Sequence, residues 1–278
     1  MISPIRDMVP DDIRSAMELS AAANWNQTEE DWLRIVRLAP RGCRCIDDSG
    51  HIVATTTLLP FGTELAWIGM VLTRPEYRRQ GFARRLLEDA IASAERLGIR
   101  TIKLDATDEG RPLYQALGFV AEQTIERWGR DRDQSVVRDK QESGCSKTSG
   151  VQIPDYLLSE DAAVFGVSRT ELLKALSESG QCSIAASGYA LSRTGRAARY
   201  LGPCIAGSIV DARRLLAAHL QESKVRWCWD LLPGNKEALH SAEEYGFTRQ
   251  RVLWRMSRGK ALQNNNSMVY AIAGFELG

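Results

Sequence analysis

Histidine is scarce in this sequence of 278 residues, with only three in the chain, and no cysteine pair or histidine has a spacing typical of a zinc site. The six cysteines are scattered through a chain long enough to bury a hydrophobic core without disulfides. We interpret them as free thiols. The sequence therefore predicts neither a metal site nor a disulfide framework.

Long apolar runs and an excess of one charge are also absent. The chain has no run of about eighteen apolar residues, and residues 1–12 contain no apolar leader, which favours a cytoplasmic protein without a membrane partner. Lysine and arginine number 36 against 35 aspartates and glutamates, which disfavours a nucleic-acid-binding protein. The basic side chains are instead concentrated at residues 78–85, and such a cluster suits a small polyanion.

That cluster lies in a turn between an apolar strand, residues 65–72, and an amphipathic helix that begins near residue 82. A helix N-terminus presents unpaired amides and partial positive charge, and small residues there let phosphate oxygens approach the backbone. The turn, with its spacing Arg-x-x-Gly-x-Ala, therefore predicts a pyrophosphate-binding site. The residues that we expect to form it are Arg78, Arg79, Gln80, Gly81, Phe82, Ala83 and Arg84.

A second apolar strand, residues 101–107, and the segment Leu113-Tyr114-Gln115-Ala116-Leu117-Gly118-Phe119 follow the helix. In this order and spacing, the turn and these segments resemble the acyl-CoA-binding signature and the LYxxxGF ending of the GNAT superfamily of N-acyltransferases. The resemblance implies an α/β (α+β) fold, a mixed and mostly antiparallel sheet that is flanked by helices and splayed by the acyl-CoA. It also implies acetyl-CoA as co-substrate and no metal.

The second half of the chain repeats the first in weakened form, with segments around Gly202 and Gly246 that correspond to those around Gly69 and Gly118. The whole chain is similar to a bacterial subgroup in which a catalytic GNAT domain precedes an acetyltransferase-like C-terminal domain. We therefore predict tandem domains. These are a catalytic, acyl-CoA-binding domain at 1–135, a linker at 136–150, and a degenerate GNAT-like domain at 151–278 that shapes the acceptor site.

The second repeat lacks the chemistry of the first. No Arg-x-x-Gly-x-Ala motif is present, the stretch from Gly202 to its helix is shortened, and Ala242 stands in the place of Tyr114. We expect this repeat neither to bind CoA nor to catalyse. The apolar stretch at 268–277 predicts a final strand that completes it.

The resemblance assigns roles to residues of the first repeat. Met70, Val71 and Leu72 correspond to the strand residues whose backbone groups bind the pantetheine and the thioester region. Tyr114 corresponds to the general acid that protonates the leaving thiolate. The general base stays open: Asp105 is a candidate, with Glu64 and a water chain as alternatives, and Asp105 could equally bind a cationic acceptor or cap the next helix.

Trp25, Asn26 and Gln27 lie between two predicted helices, where GNAT members fold a loop over the acceptor. A tryptophan beside two amides suits a polar small molecule, although it could instead pack the helix pair with Asn26 or Thr28 as a cap. We predict acetyl transfer to the primary amine of a small molecule by direct attack. The alternatives are a protein lysine or N-terminal acetyltransferase and a non-catalytic acyl-CoA-sensing module, and the oligomeric state is left open.

Overall fold

The computed structural model describes residues 4–132, 145–221 and 224–278. The helices are α1 (Ile13–Ala22), α2 (Glu29–Leu38), α3 (Phe82–Arg96), α4 (Arg111–Ala116), α5 (Asp155–Phe165), α6 (Thr170–Ser179), α7 (Ile209–Leu220) and α8 (Lys236–Glu244). The strands are β1 (Ile5–Asp7), β2 (Cys43–Asp48), β3 (His51–Phe61), β4 (Leu65–Thr73), β5 (Thr101–Ala106), β6 (Val120–Arg130), β7 (Thr148–Ser149), β8 (Gln181–Ala185), β9 (Gly188–Arg193), β10 (Arg199–Ala206), β11 (Trp227–Leu231), β12 (Thr248–Gly259) and β13 (Val269–Ala271).

The chain folds as two compact units, and neither of them is a continuous stretch of sequence. Unit 1 consists of Met1–Glu122, Arg255–Ala261 and Glu276–Gly278. Unit 2 consists of Gln123–Trp254 and Leu262–Phe275. Each unit therefore includes strand residues that belong, in sequence, to the other repeat.

In unit 1 the strand order is β1-β2-β3-β4-β5, with the C-terminal part of β12 next to β5. The first four strands pair antiparallel, and β4 pairs parallel with β5. Helix α3 packs against β3 and β4, while α1 packs against α2 and β3. One cluster of the core consists of Ile46, Val53, Ala54 and Leu86.

In unit 2 the order β8-β9-β10-β11 repeats the arrangement β2-β3-β4-β5, again with a parallel pairing between the last two strands. Residues 126–130 of β6 pair antiparallel with β11. Strand β13 pairs antiparallel with β10. Helix α7 packs against β8, β9 and β10, and the core is rich in tryptophan and leucine, including Leu215, Leu216, Trp227 and Trp229.

The edge of the last parallel strand is thus covered by strand residues from the other repeat. An unpaired strand edge exposes backbone donors and acceptors, so this covering stabilises each sheet. Lys260 N–H donates to the carbonyl of Arg100 at 3.1 Å, and Thr101 Oγ1 donates to the carbonyl of Lys260 at 2.7 Å. A chain that ended at residue 135 would lack this part of unit 1.

The predicted fold, a mixed and mostly antiparallel sheet flanked by helices, is confirmed, as is the tandem repeat. The expected strand at 268–277 is wrong in length, since β13 ends at Ala271. Beyond it the Ile272 N–H donates to the carbonyl of Asp230, and Gly274 adopts φ +145°, which L side chains disfavour.

The domain ranges 1–135, 136–150 and 151–278 stay a prediction. Of the expected linker, residues 136–144 lie outside the part of the chain that the structure describes, and Thr148–Ser149 pair with β8 as strand β7. No helix among the described residues is both long and apolar enough to cross a membrane.

Candidate active site

Strand β4 contains a bulge at Met70 and Val71. Its register with β3 shifts between Thr55 and Thr57, so that a single β3 residue lies opposite both bulge residues. Met70 is buried and adopts φ +48°, and its carbonyl accepts a hydrogen bond of 2.8 Å from Thr55 Oγ1. A positive φ is uncommon outside glycine, so the surrounding structure holds this backbone in an unusual direction.

The parallel strands β4 and β5 separate just before this bulge. They pair only through Leu65–Trp67 and Thr101–Lys103, although both strands continue. Met70, Val71 and Leu72 therefore lie beyond the last residue that β5 pairs with, on the side of β4 where a ligand could bind the backbone.

The C-terminal segment of unit 1 lies close to the same point. A Cβ added at Gly69 would lie 2.8 Å from the carbonyl oxygen of Glu276, and Glu276 itself is buried. Only glycine fits at position 69 without a shift of the neighbouring backbone.

The turn that follows β4 ends at Gly81, the N-cap of α3. Gly81 adopts φ +84° and ψ +3°, in the left-handed region, and no side chain caps the helix. A Cβ at Gly81 would meet no atom within 4 Å, and the first turn of α3 holds no acidic residue. The first amides of this 15-residue helix therefore face outward with their partial positive charge uncompensated by a local carboxylate.

The predicted phosphate-binding side chains of this turn are accessible to a ligand. The weak contacts of three of them are Arg78 Nε to the carbonyl of Thr73 (3.4 Å), Gln80 Nε2 to the carbonyl of Glu76 (3.1 Å) and Arg84 to Glu88 (3.6 Å). Exposed polar contacts of this kind contribute little to stability and rearrange readily. The exposed members of the set are Arg78, Arg79, Gln80, Gly81 and Arg84, with Phe82 and Ala83 partly exposed.

Tyr114 lies on α4 and is largely buried, with its ring edge-to-face against Phe119 at a centroid distance of 6.1 Å. Burial raises the pKa of the Tyr114 phenol to about 12, because the phenolate is poorly solvated there. The phenol therefore keeps its proton throughout the neutral range.

Asp105 projects from β5 and forms a buried ion pair with Arg255 of β12. Arg255 Nε and one terminal nitrogen donate to the two carboxylate oxygens, each at 3.0 Å. The guanidinium also lies over the ring of Trp67, 4.6 Å from its centroid. Asp105 is thus fixed by an arginine 150 residues away in sequence.

Trp25, Asn26 and Gln27 lie in the loop between α1 and α2. Trp25 and Asn26 are partly exposed, whereas Gln27 is buried, with its side-chain oxygen lacking a hydrogen-bond partner among the described residues. Thr28 caps α2 by accepting from the Asp31 N–H at 3.2 Å. The capping alternative is thus correct for Thr28, and a role in acceptor binding stays a prediction for the three loop residues.

Arg255 and Glu276 were not recognised from sequence as neighbours of this region. One signal could have identified Arg255: it follows the Gly246-Phe247 pair at the same interval at which Arg127 follows Gly118-Phe119. Within residues 4–132, 145–221 and 224–278, no group of three or more histidine, cysteine, aspartate and glutamate side chains is arranged to hold a metal ion.

Comparison with known proteins identifies both repeats. Residues 9–119 match the acetyltransferase (GNAT) family, and residues 157–271 match an acetyltransferase (GNAT) domain. The chain is 28% identical over 276 residues to the uncharacterized N-acetyltransferase YitH of Bacillus subtilis, which covers 96% of this chain and 95% of that protein.

Solved structures share the fold over nearly the full length. A protein from Pyrococcus horikoshii has a TM-score of 0.86 at 22% identity, with 99% of this chain and 95% of that chain covered. A tandem GNAT protein from the clavulanic acid biosynthesis pathway has a TM-score of 0.66 at 13% identity, with 94% and 99% covered. The chain belongs to the GNAT acetyltransferase family and contains two GNAT repeats in tandem.

Proposed function

We propose that this protein transfers the acetyl group of acetyl-CoA to the primary amine of a small molecule, by direct attack of the amine, in unit 1. The observation that carries the proposal is the uncapped, acid-free N-terminus of α3 directly beyond the β4 bulge. The pyrophosphate of CoA would bind the first amides of α3 at Gly81, where the helix dipole favours an anion. The exposed Arg78, Arg79 and Arg84 would supply charge-assisted hydrogen bonds.

The pantetheine arm would pair with the backbone of Met70, Val71 and Leu72. Unit 2 supports this assignment, because β13 pairs with β10 at Cys204 and Ile205, two and three residues after Gly202. Val71 and Leu72 stand at the same interval after Gly69. An extended chain can therefore bind this edge of the equivalent strand, and in unit 1 we assign that place to the pantetheine.

The reaction forms an amide bond and breaks the thioester bond, so the amine loses a proton and the CoA thiolate gains one. We assign the donor to Tyr114, whose raised pKa keeps it protonated. A desolvated site raises the pKa of the departing thiol as well, and this reduces the difference between the pKa values of the phenol and the thiol. Asp105, Glu64 and a water chain are the candidates for the proton acceptor.

The acceptor would bind beside the loop of Trp25, Asn26 and Gln27. A buried carbonyl oxygen needs a donor, and an amine or hydroxyl of a polar substrate would satisfy that of Gln27. The partly exposed Trp25 would pack against the carbon skeleton of such a molecule.

Calorimetry with acetyl-CoA and a turnover assay test the proposal together. We expect one binding site per chain, and mass spectrometry should detect an acetylated product from at least one of spermidine, glucosamine, lysine and kanamycin. Faster acetylation of a lysine-containing peptide than of every small amine would favour the protein-acetyltransferase alternative. Binding without turnover of any acceptor would favour an acyl-CoA-sensing module.

A further inference from the structure

The proposed function gives the acyl group of a bound acyl-CoA a definite place on β4. The pyrophosphate is assigned to Gly81, beyond the C-terminal end of this strand, and the pantetheine to residues 70–72. The acyl group therefore lies at the Met70 end of the pantetheine. It points towards Gly69, the next residue in the direction of the paired part of β4 and β5. The groups packed around Gly69 thus limit the size of the acyl group.

One face of the sheet at this point is covered by α3. Arg44 forms an ion pair of 3.0 Å with an aspartate of α3, so its side chain lies on the α3 face. Thr56 pairs with Arg44, and Leu58 lies two residues further along β3 on the same face. Leu58 pairs with Ile68, so Ile68 also lies on the α3 face and Gly69 on the opposite one. Because Ile68 is fully buried, the α3 face is filled by the core.

The opposite face is closed by the C-terminal segment of unit 1. A Cβ built at Gly69 would lie 2.8 Å from the carbonyl oxygen of Glu276, 2.9 Å from its Cα and 3.0 Å from its Cβ. The backbone and the first side-chain atom of Glu276 therefore pack directly on Gly69. Glu276 and Leu277 are 4% and 1% exposed, and Gly278 is buried with φ +93°. The segment is thus part of the packed interior.

Unit 2 fills the equivalent position in the same way. A Cβ built at Gly202 would overlap the carbonyl oxygen of Ile272, which also accepts a hydrogen bond of 3.1 Å from the Tyr200 hydroxyl. In unit 2, β13 also pairs with β10 at the place that we assign to the pantetheine in unit 1. Both repeats therefore place their own backbone on the glycine that precedes this place, and in unit 1 the residue that does so is Glu276.

We propose that Glu276 is a specificity-determining residue that restricts the acyl group to a short chain such as acetyl. With Ile68 buried on one face and Glu276 packed on the other, an acetyl methyl group would reach Gly69, and further methylenes would overlap Glu276. One methylene that a pocket does not accommodate costs about tenfold or more in discrimination. The inference rests on the proposed function of unit 1, and it gives the C-terminal segment a role in the choice of acyl donor.

The test measures the Kd of acetyl-CoA and of butyryl-CoA by calorimetry, which needs no acceptor. The wild type should bind butyryl-CoA more weakly by about tenfold or more. Glu276→Ala removes the side chain beyond Cβ and should reduce this difference to less than about threefold, whereas Glu276→Gln, which keeps the length and removes the charge, should retain it. The matched control is Ile272→Ala, at the buried residue on Gly202 of unit 2. Both alanine variants should unfold at a lower temperature, but Ile272→Ala should keep the full difference.

Equal affinity of the wild type for the two acyl-CoAs would overturn the inference, as would a full difference in Glu276→Ala or an equal reduction in Ile272→Ala. A difference lost in Glu276→Gln as well would show that charge and not size decides, which also overturns it. If Glu276→Ala does not fold, Glu276→Asp, which is one methylene shorter, should reduce the difference, and an unchanged value would contradict the inference. A wild type that binds no acetyl-CoA would instead overturn the proposed function, and the inference with it. The two failures are distinguishable because the inference alone fails only when both acyl-CoAs bind.

Discussion

The helices that follow the parallel strands of the two repeats begin in opposite ways. In the first repeat a basic turn leads to α3, which starts at Gly81 without a side-chain cap. In the second, only Gly207 and Ser208 separate β10 from α7, and Ser208 Oγ accepts from the Asp211 N–H at 3.2 Å. Asp211 also accepts from the backbone and hydroxyl of Ser187, at 3.0 and 2.6 Å.

The α7 N-terminus is therefore satisfied by the chain's own side chains and carries a carboxylate where α3 has none. The Asp211 carboxylate would repel an anion at this terminus. The edges of the equivalent strands β4 and β10 differ in the same way, because β13 pairs with β10 in unit 2 and fills that edge. A repeat can thus keep its fold while its own residues fill the positions that correspond to the proposed ligand-binding positions of the other repeat.

The largest expected effect comes from a substitution at the N-terminus of α3. Gly81→Glu should weaken acetyl-CoA binding by about 10³-fold or more in calorimetry, because it places bulk and negative charge at the amides. The matched control is Gly98→Glu, beyond the other end of α3, since Gly98 also has a positive φ (+69°) and open space around it. Both variants lose stability through the strained φ, but only the first should lose binding. Equal losses of affinity would contradict the assignment of the site.

The next effect concerns the proposed acid. Tyr114→Phe removes only the hydroxyl, so we expect kcat to fall by about 10²-fold with little change in acetyl-CoA affinity. Tyr245→Phe, at the buried tyrosine just before Gly246-Phe247 of the second repeat, should leave kcat unchanged. Because the pKa of Tyr114 is raised to about 12, its proton is present up to pH 10. The rate of the wild type should therefore rise as the amine deprotonates and show no decline before pH 10.

A third prediction concerns stability and belongs to unit 2. His219 is fully buried, with Nε2 2.9 Å from Ser183 Oγ and Nδ1 2.7 Å from Ser192 Oγ. Burial lowers its pKa to about 3, with Lys147 and Arg199 acting in the same direction. The unfolded chain, with a histidine pKa near 6.5, therefore takes up a proton that the folded chain rejects.

Stability should accordingly fall as the pH drops below about 6.5, and His219 should account for about 2 kcal/mol between pH 7 and pH 5. Urea unfolding of His219→Gln at both pH values should show a smaller loss than that of the wild type. His240→Gln, at an exposed histidine of α8, should leave the loss unchanged. A His219→Gln curve with the full pH dependence of the wild type would show that other groups cause it.

Local sequence patterns predicted much of unit 1 because its elements are encoded by contiguous residues. The apolar periodicity of residues 82–97 predicted helix α3, which the structure contains. The segment Asp48-Ser49-Gly50 predicted a hairpin, and Ser49 and Gly50 both adopt positive φ in its turn. The turn before α3 was predictable for the same reason, since it is encoded by contiguous residues that end at Gly81. Its role in phosphate binding stays a prediction.

The exchanged strands were not predictable in this way. In the sequence, Arg255 cannot be told apart from any other arginine of a strand, because its partner Asp105 is far away in the chain. The hydrophobic periodicity of a strand also does not indicate which strand it pairs with. The same holds for Glu276 beside Gly69 and for β13 beside β10, since both depend on contacts between residues far apart in sequence.

The smallest expected effect compares two helix caps whose capping hydrogen bonds have the same length. Ser208 caps α7 in unit 2 and Thr28 caps α2 in unit 1, each accepting an N–H at 3.2 Å. Replacement of either by alanine should cost about 1 kcal/mol in the free energy of unfolding, measured by urea titration. Ser208→Ala should leave acetyl-CoA binding and amine kinetics unchanged, because we expect no ligand to bind at the α7 terminus. Thr28→Ala should in addition raise the amine KM about two- to threefold, since Thr28 fixes the end of the loop that carries Gln27. An amine KM unaffected by Thr28→Ala would argue against acceptor binding at that loop.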